Sequence, residues 1–438
     1  MFDPVRTDIS LPAGVADFLP RQATEISRLE STITRLFELW GFQRIIPPLL
    51  EYQDVISIGV GDELRDKMFR FDDRLGNRLL ALPPDITPQI ARIAATRLSS
   101  HPLPHRFWYL GRILRQSEKG SGRGREFRQA GVELIGLDSP EADAEMIAMA
   151  AEALSRLGFP RFTIDLCHVD FTRSILDDAP FPPTLRHRVE QALRRKDISH
   201  LTELVKDTPL SPELQRAVCA LPRLFGGREV IDRAREFSPS PRADKALDTL
   251  SQVIDIVDLY GIGDVLTIDL GEMRGFNYHT GVTFEGFVEG CAEPVCSGGR
   301  YDTLLERYGM AAPATGFAFN ILSLLNAWDD GTTRHHEAGR DILLFNRNRD
   351  RTTVIALARR LRSRGYSVAR DIIPRDLDQS VRYARTMNIR AVVVTDDESD
   401  PPLTIIDSRT GEEHRVHEEG LPDVLSLLLE STRRRDNG

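Results

Sequence analysis

Asp85 and Thr87 place a carboxylate and a hydroxyl two residues apart, where a predicted strand passes through prolines into a predicted helix. A carboxylate in this position could bind the ammonium group of an amino-acid ligand through charge-assisted hydrogen bonds. Asp and Thr are also typical at a helix start, where their side chains accept hydrogen bonds from backbone N–H groups. Taken alone, the segment favours a helix cap over a ligand site.

A second group of polar side chains lies on a predicted β-hairpin. Arg115 ends the first strand. Gln129, Gly131 and Glu133 share one face of the second strand, because alternate residues of a strand point the same way. A glutamine and a glutamate opposite an arginine suit a small zwitterionic ligand. The long basic, glycine-rich loop between the strands is more typical of a functional loop than of a simple connection. A solvated surface hairpin is the alternative.

Two later segments combine glycines with hydrogen-bonding side chains. Glycines bracket the polar groups of residues 272–281 and allow a ligand to approach the backbone closely. In residues 297–302, a glycine pair precedes a tyrosine that could form a pocket wall. A conventional turn is the alternative for the first segment, and each signal is weak by itself. The candidate side chains are Arg274, Tyr278, His279 and Tyr301.

The elements that must position these groups follow from the surrounding apolar patterns. Residues 21–40 carry apolar side chains at helical spacing and predict an amphipathic helix. Residues 42–48 predict a strand that ends at two prolines. Residues 107–114 and 127–135 are the apolar runs of the hairpin. Residues from about 180 to 260 have helical patterns and little strand signal, so we predict a helical insertion there.

A polar stretch divides the chain. Residues 329–340 predict a linker between a core domain, residues 1–328, and a small domain, residues 341–438. Strands and helices alternate in the small domain, which predicts an α/β fold with a largely parallel sheet. The 438 residues suit two or three domains.

Composition excludes several classes of function. A net charge of −9 argues against a general nucleic-acid binder. The apolar runs are too short to cross a membrane, and the N-terminus lacks the pattern of a secretory leader. Four cysteines without a CxxC pair predict reduced thiols in a cytoplasmic protein and no zinc site. Composition and spacing alone therefore predict a multi-domain protein with a polar small-ligand site.

Together and in this order, the segments resemble the core of a class II aminoacyl-tRNA synthetase, most closely that of histidyl-tRNA synthetase. Residues 41–51 resemble motif 1 of the dimer interface, residues 107–136 motif 2, and residues 298–325 motif 3. Residues 272–285 resemble the histidine-specific segment. The resemblance implies an α+β fold, in which helices flank an antiparallel sheet. It also implies a helical insertion and a small C-terminal α/β domain similar to an anticodon-binding domain.

The resemblance also implies a histidine-binding site. Asp85 stands where the synthetases carry a glutamate, so its reach toward the ligand ammonium is shorter. His279 lies in a segment that usually reads aspartate-tyrosine-tyrosine. Carried over position by position, the implied histidine-binding residues are Asp85, Thr87, Arg115, Gln129, Glu133, Arg274, Tyr278, His279 and Tyr301.

The ATP-binding positions depart further from the synthetase pattern. Motif 3 of the synthetases ends with an arginine that binds ATP phosphate, and Ser323 occupies that position here. In motif 2, Ser117 stands where the synthetases place a glutamate for adenine. Phosphoryl charge in the transition state needs positioned cations, and the loss of one such donor typically costs about 10²–10³ in rate. The departures predict that histidine adenylation is lost.

The family that fits this pattern is the ATP phosphoribosyltransferase regulatory subunit, a paralogue of histidyl-tRNA synthetase. The resemblance implies a non-catalytic protein without a cofactor or metal, which binds histidine as an allosteric ligand. Its partner would be a short-form catalytic subunit, in a hetero-oligomer that performs the first step of histidine biosynthesis. Self-dimerisation through the motif 1 region is also implied. Two alternatives stay open: a divergent histidyl-tRNA synthetase that activates histidine with ATP, and a tRNA-sensing module.

Overall fold

The chain forms two compact units, residues 1–330 and residues 331–438. Each unit contains a hydrophobic core of its own. The predicted linker at residues 329–340 lies outside the described residues, and the side chains of Glu63 and residues 430–435 are not described. The computed structural model describes residues 10–116, 124–273, 278–328, 341–347, 351–396 and 398–435.

Helices account for much of the described part of the first unit. Helices α7 to α11 fill most of the region for which a helical insertion was predicted. In chain order the helices are α1 (Pro20–Leu39), α2 (Gln53–Gly59), α3 (Asp62–Asp66), α4 (Thr87–Arg97), α5 (Pro140–Arg156), α6 (Val169–Asp178), α7 (Pro183–Arg194), α8 (Ile198–Lys206), α9 (Pro212–Ala220), α10 (Glu229–Arg235), α11 (Pro241–Leu259) and α12 (Ile321–Trp328). Short 3₁₀ helices span Leu221–Arg223, Gly263–Val265 and Glu306–Tyr308.

The strands of the first unit form two sheets. In chain order they are β1 (Gln43–Arg44), β2 (Glu51–Tyr52), β3 (Phe69–Asp72), β4 (Leu79–Leu82), β5 (His105–Leu114), β6 (Glu126–Ile135), β7 (Phe162–His168), β8 (Phe225–Gly226), β9 (Leu266–Asp269), β10 (Val282–Val288), β11 (Cys296–Arg300) and β12 (Ala314–Asn320). The main sheet has the order β1-β5-β6-β12-β11-β10-β7-β9-β8, and β2, β4 and β3 form a small antiparallel sheet.

The centre of the main sheet is antiparallel, as the sequence predicted. All neighbouring strands from β5 through β7 in the sheet order pair antiparallel. Toward the edges, β1 pairs parallel with β5, and β9 pairs parallel with β7. The sheet as a whole is therefore mixed, because a parallel pair lies on each side of the antiparallel centre.

The two faces of the main sheet differ in character. One cross-strand row packs its large side chains into the core with α1, α5 and α11, and this row reads Trp108, Val132, Phe317, Gly298, Phe284 and Leu166. The next row reads Phe107, Glu133, Gly316, Gly299, Thr283 and Cys167. Successive residues of a strand point to opposite faces. The second row therefore faces away from that core, and it carries Glu133.

The first helix shows how the core side is built. Buried Ile26, Leu29, Ile33 and Leu36 recur at three- and four-residue spacing along α1, so one stripe of the helix packs on the sheet. The chain then passes Trp40 and turns at Gly41, whose φ of 82° is the left-handed conformation that glycine adopts most easily. The predicted helix of residues 21–40 is confirmed to within one residue at each end.

The second unit is a five-stranded sheet packed with helices. Its strands are β13 (Ile342–Asn346), β14 (Val368–Arg370), β15 (Ala391–Thr395), β16 (Leu403–Asp407) and β17 (Glu413–Val416). Its helices are α13 (Thr352–Ser363), α14 (Leu377–Thr386) and α15 (Leu421–Arg435), with a 3₁₀ helix at Glu418–Gly420. The strand order is β14-β13-β15-β16-β17.

The prediction of a largely parallel sheet in this unit is wrong for its second half. Strands β14, β13 and β15 are parallel, whereas β15, β16 and β17 pair antiparallel. Asp407 makes the turn that reverses the chain, because its Oδ1 accepts hydrogen bonds from the backbone N–H groups of Arg409 and Thr410. Gly411 then completes the turn with a φ of 80°.

Candidate ligand-binding site

Glu133 lies near the middle of the main sheet, and its side chain is almost completely enclosed, with 1% of the residue exposed. Its cross-strand neighbour on β12 is Gly316. A Cβ atom on Gly316 would lie 2.0 Å from Glu133 Oε2 and 2.4 Å from the carbonyl oxygen of Val132. Non-bonded heavy atoms do not approach so closely in a packed interior, so the missing side chain leaves the space that the carboxyl group occupies.

Two hydroxyl groups hold the Glu133 carboxyl group. Thr87 Oγ1 donates a hydrogen bond of 2.6 Å to Oε1, and the Tyr301 hydroxyl donates to Oε2. Burial raises the pKa of Glu133 to about 8, the hydrogen bonds from Thr87 and Tyr301 oppose this effect, and the negative charge of Asp85 adds to it. The carboxyl group is therefore largely protonated at neutral pH in the ligand-free protein.

The start of α4 supplies two of the predicted residues. Thr87 is the first residue of the helix, and no side chain caps its N-terminus. The Thr87 hydroxyl donates to Glu133 instead, and Asp85 Oδ1 accepts a hydrogen bond of 2.8 Å from the backbone N–H of Ile86. The helix-cap interpretation of this segment is wrong, because its hydroxyl belongs to the group around Glu133.

Three tyrosines surround this group. Tyr109 and Tyr301 are buried, and the ring centroid of Tyr278 lies 6.3 Å from that of Tyr301 and 4.1 Å from that of His279. Burial raises the pKa of each tyrosine hydroxyl, and the charge of Glu133 raises it further. The tyrosines therefore stay neutral near pH 7 and serve as hydrogen-bonding groups and apolar walls.

Arg115 and Gln129 lie on the two strands of the hairpin. Arg115 directly follows β5, its Nε donates to the carbonyl oxygen of Pro84 at 2.8 Å, and its guanidinium carbon lies 5.0 Å from the ring centroid of Phe127. The Gln129 Oε1 atom is buried and has no hydrogen-bond partner among the described residues. A buried amide oxygen without a partner is costly, so this side chain favours a ligand nearby.

Four of the predicted residues line one cavity of about 810 Å³, namely Asp85, Arg115, Tyr278 and His279. Behind them, Thr87, Glu133 and Tyr301 form a buried hydrogen-bonded layer, which meets the cavity wall through the contact between the Tyr278 and Tyr301 rings. Arg274, the ninth predicted residue, lies outside the described residues, as does Ser117. The structure thus brings together seven of the eight predicted residues that it describes, and Gln129 is not among the residues that line the cavity.

The far wall of the cavity comes from the helical insertion, and the sequence analysis missed it. Lys196 follows α7 directly, and its ammonium lies 2.5 Å from Asp269 Oδ2 and 5.1 Å from the ring centroid of Phe225. All three residues line the cavity. The spacing of these three residues in the sequence does not predict that they lie together. Tyr109 was also missed, although it lies two residues after Phe107 and so shares the face that carries Glu133.

The position expected for a phosphate-binding arginine carries no charge. Ser323 lies in the first turn of α12, directly after the end of β12. Asn320, the last residue of β12, accepts a hydrogen bond of 3.2 Å from the backbone N–H of Leu322. The helix start is therefore held by a neutral amide.

Two classes of feature are absent from the described part of the chain. Across the described ranges, no group of three or more His, Cys, Asp and Glu side chains is arranged to hold a metal ion. None of the described helices combines the length and apolar character required of a membrane span.

The fold and the site together define the class of protein. The histidyl-tRNA synthetase family matches residues 14–324. The crystal structure of histidyl-tRNA synthetase from Nostoc sp. PCC 7120 has the same fold, with a TM-score of 0.79 and 21% identity, and the match covers 98% of this chain and 100% of that chain. The protein therefore has a class II aminoacyl-tRNA synthetase-like architecture.

More similar relatives specify the family within that class. The ATP phosphoribosyltransferase regulatory subunit of Geobacter sulfurreducens is 55% identical over 384 residues, 88% of each chain. A crystal structure from Bacillus halodurans, described as an ATP phosphoribosyltransferase regulatory subunit/histidyl-tRNA synthetase, is 30% identical with a TM-score of 0.78. That match covers 89% of this chain and 98% of that chain. The chain belongs to the family of ATP phosphoribosyltransferase regulatory subunits.

Proposed function

We propose that this chain regulates an ATP phosphoribosyltransferase and binds histidine as its allosteric ligand in the cavity beside Glu133. One contrast carries the proposal. Seven of the eight described amino-acid-binding positions lie together around one cavity and one hydrogen-bonded layer, whereas the position for the ATP-phosphate arginine is Ser323. The chain contributes no catalytic residue and no cofactor. Its role is to report the histidine concentration to a catalytic partner.

The polar ends of the ligand would meet two groups of side chains. The histidine carboxylate binds Arg115, and the amide of Gln129 turns its NH₂ group toward the same carboxylate. The ammonium group binds Asp85, with Thr87 and Glu133 behind it. The support is the cavity that Asp85 and Arg115 share, and the hydrogen bond from Thr87 to Glu133.

The imidazole would lie against the aromatic wall of Tyr278, His279 and Tyr301. The rings of Tyr278 and His279 lie 4.1 Å apart at an angle of 32°, and this aromatic pair offers a surface against which an imidazole ring can pack. We assign Arg274 to the same end of the ligand because of the resemblance to the histidine-specific segment. The wall would favour histidine over aliphatic amino acids.

The partner is, in this proposal, a short-form catalytic ATP phosphoribosyltransferase subunit in a hetero-oligomer, and the pathway step is the first of histidine biosynthesis. Histidine regulates the complex only if it binds one state of the complex more tightly than another. The family to which the chain belongs supports this assignment. We place the complex in the cytoplasm, and we expect no membrane or nucleic acid to take part.

We also propose that the chain forms a dimer through the motif 1 region. Three apolar side chains after the edge strand β1 are exposed: Ile46 (71%), Leu49 (58%) and Leu50 (44%). The adjacent small sheet exposes Tyr52 and Phe71 on the same face, on either side of Leu80. Apolar patches of this kind mark interfaces. The variant L49E should sediment as a monomer. If L49E still forms a dimer, the interface lies in another region of the chain.

The domain boundaries that we propose are residues 1–328 for the synthetase-like core, 329–340 for the linker and 341–438 for the small α/β domain. The small domain resembles an anticodon-binding domain. We expect it to bind no tRNA, given the chain's net charge of −9. A salt-dependent complex with tRNA would instead favour the tRNA-sensing alternative.

The test of the histidine site is calorimetry of the purified chain with histidine, with and without ATP and Mg²⁺. We expect histidine binding without pyrophosphate release. The variant R115M should weaken binding at least about tenfold, because a charge-assisted hydrogen bond contributes about 1.5–3 kcal/mol. The matched control is R112M, since Arg112 lies on the same hairpin and pairs with Glu126 on the surface at 3.3 Å.

Two results would contradict the proposal. Pyrophosphate release that depends on histidine would identify an active synthetase and overturn the interpretation of Ser323. The second result would come from an assay of phosphoribosyl transfer by the catalytic subunit in the presence of this chain. If the chain changes neither the rate nor its sensitivity to histidine, it is not the regulatory subunit of that enzyme.

A further inference from the structure

The layer behind the cavity contains a buried acid without a cation. Among the described residues, no basic side chain forms a hydrogen bond or an ion pair with Glu133. Its two hydrogen bonds come from the neutral hydroxyl groups of Thr87 and Tyr301. A buried carboxylate normally requires a paired cation, and a proton or a ligand can supply the positive charge that the described residues do not.

The groups that face Glu133 come from every element around it. The start of α4 contributes Asp85 and Thr87, strand β5 contributes Tyr109, and Tyr301 follows β11. The segment before β10 contributes Tyr278, and the His279 ring lies against it at an angle of 32°.

The positive charge of Arg115 at the end of β5 acts on Tyr278, and its Nε is already bonded to the Pro84 carbonyl oxygen. Strand β12 offers only Gly316, which has no side chain. Asp85 is thus the second acid of the site.

The empty site and the occupied site favour different forms of Glu133. When the site is empty, burial together with the Asp85 charge gives Glu133 a pKa of about 8, so the acid form dominates at pH 7. In the acid form one carboxyl oxygen carries the proton, and a neighbouring hydroxyl group of Thr87, Tyr301 or Tyr109 accepts that hydrogen bond. An ammonium group in the cavity neutralises Asp85 and supplies positive charge, and both effects favour the carboxylate.

We propose that histidine binding releases a proton from Glu133, so that the histidine affinity of the site depends on pH. The inference rests on the proposed histidine site. In the balanced step, the neutral Glu133 acid and the histidine ammonium give a Glu133 carboxylate opposite the ammonium, and one proton passes to solvent. Acidification therefore weakens the histidine signal, because protons and histidine compete for the same carboxyl group.

The size of the effect follows from linkage. About 0.9 proton leaves Glu133 per histidine bound at pH 7, since roughly nine in ten carboxyl groups are protonated one unit below a pKa of about 8. Between pH 6.5 and 8 the histidine affinity rises with pH, at most about tenfold per unit. Above that range this contribution levels off.

The test is calorimetry with histidine in phosphate and in Tris at pH 7, because the difference in buffer ionisation heat counts the protons released. The ligand's own groups add the same background to each variant. The wild type should therefore release about 0.9 proton more than E133Q. The matched control is E126Q, because Glu126 is the same residue type on the same strand but pairs with Arg112 at the surface. It should behave as the wild type.

Two further variants keep the test decisive if E133Q binds too weakly. D85N removes a charge that raises the pKa of Glu133, so the pH at which affinity levels off should fall. Y301F removes a donor that stabilises the carboxylate, so the same midpoint should rise. Opposite shifts support the proposal, because a general loss of structure would not move the midpoint in two directions.

The outcomes separate this inference from the function on which it rests. Histidine binding with equal proton release in the wild type and E133Q, or midpoints that stay fixed in D85N and Y301F, overturns the proton release and leaves the histidine site in place. Absence of histidine binding to the wild type at millimolar concentration overturns both.

Discussion

Two buried carboxyl groups on either side of the main sheet are held in opposite ways. Asp143 of α5 is 3% exposed and Glu133 is 1% exposed. Asp143 Oδ2 accepts a hydrogen bond of 2.9 Å from Arg300 Nε, and the same guanidinium donates to the carbonyl oxygens of Leu137 and Ser139 at 3.1 Å. In the described ranges, the hydrogen bonds to Glu133 come from hydroxyl donors alone.

The difference separates a structural charge from a functional one. Burial raises the pKa of Asp143, and the charge of Arg300 acts against this shift. Among the described residues no comparable cation acts on Glu133, and burial raises its pKa to about 8. The Asp143 carboxyl group pairs with a cation inside the protein and fixes β11 to α5, although its Oδ1 atom has no hydrogen-bond partner among the described residues. The Glu133 carboxyl group pairs with no cation in the part of the chain that the structure describes, so a ligand can supply that charge.

The largest expected effect comes from breaking the pair of Asp143 and Arg300. R300M leaves Asp143 buried without its cation, and the free energy of unfolding should fall by about 3–5 kcal/mol. Urea denaturation measures the change. At pH 5, E133Q replaces a neutral acid with a neutral amide and should shift the free energy of unfolding by about 1 kcal/mol or less. Equal losses in the two variants would remove the distinction between the two carboxyl groups.

A smaller effect should follow from filling the space beside Glu133. In G316A the new Cβ atom would lie 2.0 Å from Oε2, so the carboxyl group must move away from Thr87 and Tyr301. Histidine affinity should fall about ten- to a hundredfold, the range that corresponds to about 1–3 kcal/mol for a disrupted buried polar group. Calorimetry measures the affinity.

The control for this variant is G309A. Gly309 has a φ of 93° and no atom near its absent Cβ, so alanine strains only the backbone. It should lower stability by about 1 kcal/mol without changing histidine affinity. A loss of affinity in G309A equal to that in G316A would show that general destabilisation explains both.

The most gradual expected effect is the pH dependence of stability, because it is spread over several pH units. The pKa of Glu133 is about 8 in the folded protein against an ordinary value of 4.5, so the folded state binds more protons between these values. The stabilisation is fully present below pH 4.5 and is lost as pH rises toward 8, at up to about 1.4 kcal/mol per unit. Denaturation of the wild type and E133Q from pH 5 to 8 should give curves that separate as the pH rises, because only the wild type loses this stabilisation. Parallel curves would contradict the raised pKa.

Local sequence patterns predict one part of the site correctly. The period-two spacing of Gln129, Gly131 and Glu133 predicted their shared face, and the apolar runs predicted β5 and β6 to within two residues. The helix-cap alternative at Asp85 was favoured at first, because nothing local shows that the Thr87 hydroxyl meets a carboxyl group from a different strand.

The missed features depend on contacts between distant segments. Gly316 is adjacent to Glu133 only through the register of β12 against β6, and Lys196 reaches Asp269 only because the helical insertion folds over the edge of the sheet. Neither contact leaves a periodic signal. In the second unit, Asp407 makes the turn from β16 to β17. The alternation of strands and helices earlier in this unit does not predict that the chain reverses there.

The edges of the nine-stranded sheet have a consequence for the solution behaviour of the protein. Both edge strands, β1 and β8, contain two residues, and prolines at positions 47 and 48 follow β1 closely. Long unpaired edges invite strand addition and fibril growth, whereas short edges near proline resist it. Copies of this chain can therefore associate through side chains while their sheets stay discrete, and a concentrated solution should form closed assemblies without cross-β aggregates.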